Sequence, residues 1–265
     1  MIIDGKKLAS EIKEQLKQKV AGLARPPRMA IFSVEPNAVT ERYLSLKQKF
    51  SKDIGVECEV YKFDAIGPSI TNENLIERIS EEDENVKTDA IIVQLPLPHR
   101  FNVDSILSAI APEKDIDALS SNSKFVSPVA LAVLHVLDYG QVDVSGKRVA
   151  ILGGGRLVGI PVARELSFRG GIVTILKKGA QNFSEILGSA DIIVTGAGDA
   201  HFLKPEMIKE GVVLIDGSTS ELGGKIVGDV DPTCASKASL FTPVPGGIGP
   251  MAVSMLFSNL VRVQL

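Results

Sequence analysis

Arg148-Val-Ala-Ile-Leu152 runs directly into Gly153-Gly-Gly-Arg-Leu-Val-Gly159. The first five residues are an apolar strand, the next seven a glycine-rich turn, and a helix pattern comes directly after them. Such a turn lets backbone N–H groups approach a pyrophosphate, and the helix N-terminus adds a favourable dipole. Gly153, Gly154, Gly155, Arg156, Val158 and Gly159 are therefore candidate dinucleotide contacts. The spacing is G-x-G-x-x-x-G, one residue longer than the usual fingerprint. Taken alone, the turn also fits a purely structural role in an α/β protein.

The next strand, Ile172–Leu176, should end near an adenosine ribose. Dehydrogenases that take the unphosphorylated cofactor often place an acid there. This chain has Lys177 and Lys178, whose ammonium groups favour a 2′-phosphate, and Arg156 adds charge from the turn. That points to NADP, with NAD the alternative. The same strand could equally end in a solvated basic turn. A third strand, Asp191–Thr195, brings Thr195 and Gly196 to the same end of the sheet.

The whole chain repeats this alternation. Met29–Val34, Glu57–Lys62, Ala90–Gln94 and Val212–Ile215 are further strands, mostly continuous apolar runs as expected for strands covered on both faces. Helices lie between them: Lys7–Leu23 carries Leu8, Ile12, Leu16 and Val20 at i,i+4, and Thr40 is positioned to cap a helix to Ile54. The fold class is α/β, with parallel sheets. Polar turns at residues 120–124 and 140–146 suggest two α/β domains flanking a cleft. The first covers residues 1–120, with the C-terminal segment 245–265 returning to it. The second covers 121–244, opening with the helix Pro128–Asp138 and continuing as a Rossmann-like dinucleotide-binding domain.

Composition narrows the functional class. The formal net charge of −3 over 265 residues gives no electrostatic reason to bind nucleic acid or an anionic membrane. No apolar run reaches the roughly 18–20 residues of a membrane span, and no apolar stretch follows the first charges as in a signal peptide. Cys58 and Cys234 are far apart, as two reduced thiols of a cytoplasmic protein would be, and the three histidines lack metal-ligand spacing. No metal is expected.

On the helix after Thr40, Tyr43 and Lys47 share a face. An aromatic ring with an amine one turn on can stack a flat substrate and set a proton-transfer group beside it. Without context, the pair reads as helix surface. Context comes from Val93-Gln-Leu-Pro-Leu-Pro98, which puts Gln94 at a strand's carboxyl end, where open α/β sheets bind ligands. Leu95 and Pro96 form a stiff wall there. Asp115-Ile-Asp117 supplies carboxylates able to accept from an amino-heterocycle. Thr242-Pro-Val-Pro-Gly-Gly-Ile-Gly-Pro250 is a stiff loop that allows close backbone approach, or a domain-linking elbow.

In this order the segments resemble the bifunctional methylenetetrahydrofolate dehydrogenase/cyclohydrolase family, over essentially the whole chain. The most specific pieces are Val93–Pro98, Val227-Gly-Asp-Val230, Thr242–Pro250 and Tyr43-x-x-x-Lys47-x-Lys49. The resemblance implies oxidation of 5,10-methylenetetrahydrofolate with NADP, then hydrolysis to 10-formyltetrahydrofolate, by a cytoplasmic homodimer. It implies Lys47 as the catalytic lysine, Tyr43 packing on the folate rings, Gln94 tuning Lys47, and Asp117 anchoring the pterin. Pro245, Gly246 and Gly247 would border the substrate cleft. Some positions depart from the family: Asp117-Ala118-Leu119 stands for Asp-Gly-Phe, Gly153-Gly154-Gly155 for Gly-Arg-Ser, and Lys177-Lys178-Gly179 for His-Ser-Arg. Two other classes share the glycine turn. A dehydrogenase of hydroxy or amino acids leaves the Tyr43, Lys47 and Gln94 set unexplained, and a non-catalytic dinucleotide-binding protein has no need of Lys47.

Overall fold

A computed structural model describes residues 1–63, 70–177 and 179–263. The chain divides into two compact units. One comprises residues 10–128 and 253–265, the other residues 1–9 and 129–252.

The first unit is built on a parallel three-stranded sheet in the order β2 (Glu57–Phe63), β1 (Arg28–Val34), β3 (Ala90–Val93). Side chains alternate across β1. Met29 and Ile31 pack with Leu16 and Val20 of α1 (Gly5–Ala21), Leu44 and Ile54 of α2 (Ala38–Ile54), and Phe257 and Leu260 of the last helix. Ala30, Phe32 and Val34 face the other way, onto Leu75 and Ile79 of α3 (Asn72–Glu84) and Ile106 and Leu107 of α4 (Val103–Leu107). Burying β1 and β3 on both faces explains why their sequences are unbroken apolar runs. At β2, the edge strand, no residue is fully buried: Cys58, Val60, Tyr61 and Phe63 are half-buried and the rest exposed, so burial on both faces, expected for most strands, does not extend to it.

Asn37 caps α2: its side-chain oxygen accepts from the Thr40 N–H at 2.9 Å. Thr40, the cap expected from the sequence, lies one turn further in, because Asn37 already satisfies that orphan donor.

The second unit carries a parallel five-stranded sheet in the order β10 (Leu240–Thr242), β7 (Val213–Asp216), β6 (Ile192–Thr195), β4 (Arg148–Leu152), β5 (Ile172–Leu176). α5 (Pro128–Tyr139) leads into it, and α6 (Gly159–Phe168) follows β4. The chain moves outward from β4 to β5, then returns to β6 on the other side. This reversal between β4 and β6 is the switch point at which such sheets bind ligands. A short hairpin, β8 (Ser220–Leu222) and β9 (Lys225–Val227), adds to the strands expected from the sequence, as does β10.

The boundaries also differ from the sequence expectation. Residues 1–9 group with the second unit, because Met1–Ile3 run parallel beside β10: the Ile3 N–H donates to Phe241 O and the Phe241 N–H to Met1 O, both 2.9 Å. The last helix, α8 (Ile248–Val263), begins in that unit and passes to the first at Val253.

Candidate active site

In the unit of β1–β3, α2 presents one buried stripe: Thr40, Leu44, Lys47, Ser51 and Ile54. Helical periodicity asks for an apolar residue at 47. A lysine stands there instead, only 7% exposed. Long cations are almost never buried without partners. Lys47 Nζ donates to Gln94 Oε1 at 3.0 Å and lies 3.8 Å from Asp117 Oδ2. Gln94 is held at the end of β3 by its backbone N–H, which donates to Phe32 O at 2.8 Å. Its side-chain Nε2 donates to Leu95 O at 2.9 Å, which turns Oε1 towards the amine. Three residues from separate segments thus converge, and Tyr43, half-buried, stands one turn before Lys47.

Asp117 is half-buried beside that amine. Burial pushes its carboxyl above the ordinary range, and the Lys47 charge opposes the shift. Asp115 has a different use. Fully buried, it accepts from the Leu119 N–H at 3.3 Å, the Ser120 N–H at 2.9 Å and the Ser120 hydroxyl at 2.6 Å. It shapes the loop that presents Asp117 and is not itself open to a substrate. Leu95 is half-buried and Pro96 exposed beside Gln94.

In the other unit, β4 ends at Leu152 and the turn begins. The geometry requires glycine at 159: a Cβ there would lie 1.9 Å from Gly153 O. This closeness lets α6 start directly behind the turn with Val158 as its N-cap. Gly196, after β6, packs against Val158, where a Cβ would come within 2.6 Å of that side chain. A Cβ on Gly155 would meet open space, and Arg156 is exposed. A hollow of about 430 Å³ is lined by Gly154, Ile160, Ile175, Lys177 and Ala180. Its size lies within the range of small-molecule sites, two of its walls are branched aliphatic side chains, and Lys177 supplies a cation. An adenosine with a 2′-phosphate fits that chemistry. Lys178 lies outside the described residues.

Thr195, expected at the dinucleotide, is fully buried, and its hydroxyl donates to Asp216 Oδ1 at 2.8 Å. That side chain serves the interior. Pro245, Gly246 and Gly247 belong to this same unit. There Gly5, at the start of α1, closes on Gly247 so tightly that a Cβ on Gly5 would lie 1.9 Å from Gly247 O. Nothing in the sequence pattern around Gly5 announces this neighbour.

Residues 3–117 match the family described as tetrahydrofolate dehydrogenase/cyclohydrolase, catalytic domain, and residues 127–265 match its NAD(P)-binding domain. The chain belongs to the tetrahydrofolate dehydrogenase/cyclohydrolase family. It carries that family's catalytic domain followed by its NAD(P)-binding domain. The bifunctional protein FolD of Halothermothrix orenii is 34% identical over 99% of this chain and 97% of its own. The bifunctional FolD of Campylobacter jejuni is 33% identical, with a TM-score of 0.94 over 100% of this chain and 98% of its own. The Trypanosoma brucei enzyme, solved with NADP and an inhibitor, is 31% identical, with a TM-score of 0.92 over 99% and 96% of the two chains.

Proposed function

We propose that one folate site, centred on Lys47, serves both the oxidation of 5,10-methylenetetrahydrofolate and the hydrolysis that yields 10-formyltetrahydrofolate, and that NADP is the oxidant. The observation that carries this reading is the buried Lys47 amine held by Gln94 and facing Asp117. Tyr43 stacks on the folate ring system, Asp117 accepts from its amino-pyrimidine edge, and Leu95, Pro96, Pro245, Gly246 and Gly247 contact the substrate. Gly153–Gly155, Arg156, Val158, Gly159 and Gly196 hold the dinucleotide backbone, and Lys177, with Lys178, its 2′-phosphate. Bound there, the nicotinamide supplies a hydride acceptor for the one-carbon bridge.

The chain's own residues do the rest. Loss of hydride leaves a cation shared between two nitrogens of the substrate. Water adds to its carbon, and Lys47 takes the proton released. The hydroxyl left on that carbon then collapses to the formyl carbonyl, giving its proton to solvent, as the bond to one ring nitrogen breaks and Lys47 returns its own proton to the departing nitrogen. Gln94 does not titrate. It fixes the amine, so both transfers use one geometry.

The test is direct. The purified protein is given methylenetetrahydrofolate with NADP, then with NAD, while the methenyl intermediate and the formyl product are followed separately. Both activities should appear, with NADP the better cofactor. Reduction of nucleotide without formyl product would remove the hydrolytic half, and faster turnover with NAD would remove the NADP assignment. We further propose a cytoplasmic homodimer, as the sequence resemblance implies, and sedimentation of the full chain tests the dimer. Among the described residues no helix is long and apolar enough to cross a membrane.

A further inference from the structure

Val227-Gly-Asp-Val230 has no place in the chemistry above, yet it contains a heavily bonded buried charge. Asp229 is 1% exposed. Its Oδ2 accepts from the N–H groups of Ala197 at 2.7 Å and Gly198 at 3.3 Å, and its Oδ1 accepts from the N–H of Asp199 at 2.7 Å. Three consecutive amides converging on one anion make a nest, the backbone device that elsewhere receives phosphates. Gly198 gives the loop its shape, with φ at +72°.

Asp229 is itself held. The segment 228–231 runs beside 201–203, with His201 N–H to Gly228 O, Leu203 N–H to Asp229 O and Asp231 N–H to Leu203 O, each 2.9 Å. Val230 N–H donates to Asp216 Oδ2 at 2.9 Å. Gly228 packs so closely on Asp216 that a Cβ would lie 1.9 Å from Oδ2. Asp216 in turn accepts from Thr195 Oγ1, and its N–H donates to Thr242 Oγ1 at 2.7 Å. The carboxylate is thus fixed from behind, and the 197–199 loop is fixed by the carboxylate.

The position of that loop gives it meaning. The sheet reverses direction between β4 and β6, so a dinucleotide crossing the strand ends has its adenosine on the β5 side, where the 430 Å³ hollow lies. The nicotinamide end then lies over β6 and β7. The 196–199 loop follows β6 and backs onto the glycine turn, where a Cβ on Gly153 would lie 2.7 Å from Gly196 O.

We propose that Asp229 is a positioning residue for hydride transfer: it fills the 197–199 nest from within the protein, fixing that loop beside the nicotinamide end of the dinucleotide. The internal carboxylate also keeps these amides from phosphate, which leaves the pyrophosphate to the 153–159 turn. An asparagine has the same shape but sets an N–H₂ against one or more of the three N–H donors, so it cannot hold the loop.

This rests on the dehydrogenase/cyclohydrolase reading, and the test separates the two. Hydrolysis of the methenyl substrate needs no dinucleotide, so it reports on the folate site alone. In Asp229→Asn, the dehydrogenase kcat should fall at least tenfold, while the cyclohydrolase kcat stays within twofold. In the dinucleotide-free protein, hydrogen exchange at residues 197–199 should accelerate at least tenfold, with β1–β3 unchanged. Gly198→Val is the second variant, in case Asp229→Asn does not fold. A Cβ at 198 meets nothing within 4 Å, but a β-branched residue resists a φ of +72°. It should give the same split. Parallel loss of both activities, an unaltered hydride step, or unchanged exchange in a folded variant overturns the proposal. Absence of both activities from the wild type would instead overturn the functional reading.

Discussion

Around Lys47 the working groups are side chains that hold one another: an amine on α2, an amide at the end of β3, a carboxylate on the loop shaped by Asp115. At the 153–159 turn the side chains are mostly missing, and the working groups are backbone amides brought close because Gly159 and Gly153 leave no room for a Cβ. The first kind of site loses a function when one side chain is removed. The second loses it when one is added. The two regions should therefore fail separately.

The largest effect expected is at Lys47. Lys47→Ala removes the amine placed to move protons between water and substrate, and such a loss typically costs about 10²–10⁴-fold in rate. The cyclohydrolase kcat should fall by that order, and hydride transfer, which needs mainly alignment, by much less. Circular dichroism would establish that the variant is folded. Full hydrolysis in a folded Lys47→Ala protein would take the lysine out of the mechanism and erase the contrast between the two regions.

Acid should act on the β1–β3 unit through one well-held carboxylate. In the β1–β3 unit, Arg28 holds Glu82 through paired bonds of 2.6 and 3.1 Å, joined by Thr88 and by the Tyr61 hydroxyl at 2.6 Å. These bonds, Arg28 first, hold the Glu82 carboxyl down at about 2. A carboxyl depressed on folding stabilises the native state above its unfolded value of 4.5 and loses that contribution as pH falls towards 2. At 1.36 kcal/mol per pH unit, the contribution is on the order of 3 kcal/mol. In the β4–β7 unit, burial raises the carboxyl of Asp216. Its ionised form is disfavoured on folding, so protonation on acidification relieves a cost. Asp191, held by Lys209, and Asp231, held by Lys204, have carboxyls lowered in that same unit, so it too loses stabilisation in acid. Glu82 itself is the test: between pH 5 and about pH 3, amide exchange in β1–β3 should rise, and Glu82→Gln should flatten that rise while β4, β6 and β7 respond as in the wild type. An equal rise in Glu82→Gln would show that this carboxylate does not govern the acid response.

The same contrast explains what the sequence disclosed. Apolar runs such as Ala90–Val93 and Arg148–Leu152 announce strands because burial on both faces demands them. β10 is only three residues long and is completed by Ile3, from the far end of the chain, so no local window reveals it. Tyr43 and Lys47 are legible from their helical spacing, and Gln94 from its place at the end of an apolar run. The use of Asp115 and Asp229 is not, since a buried carboxylate bonded to backbone and an open one look alike in sequence. The clash that requires Gly159 depends on where Gly153 O points, which is a property of the folded turn.

Lys177 offers a smaller test, because it is a side chain placed at the site built from glycines. A Cβ on Gly154 would lie 3.6 Å from its Cε, so the lysine stem crosses the space that the glycine leaves. Lys177→Ala should raise the KM for NADP about three- to tenfold, below the roughly 1.5–3 kcal/mol of a fully formed charged hydrogen bond, and leave that for NAD unchanged. Since Lys177 is exposed, added salt should erode the wild-type preference as the Debye length drops below about 8 Å. Equal effects on both cofactors would make Lys177 a solvated turn residue.

The smallest effect belongs to a backbone position inside the side-chain site. Ala118 follows Asp117 and has φ of +54°, in the left-handed region. The resembling family usually has glycine there. A residue with a Cβ in that region costs about 1–2 kcal/mol. Glycine relieves this but gains about 0.4–1 kcal/mol of chain freedom when unfolded. Ala118→Gly should therefore stabilise the protein by about 0.5–1 kcal/mol and raise Tm by about 1–4 °C, given roughly 2–4 °C per kcal/mol for a chain near this size. The Asp115 bonds to Leu119 and Ser120 remain, so Asp117 should keep its place and the folate KM should stay within twofold. A lower Tm would mean that the methyl group packs better than the strained backbone costs. A higher Tm with a raised folate KM would mean that the alanine restricts Asp117 usefully, and that even the Lys47 site depends in part on a Cβ set against its backbone.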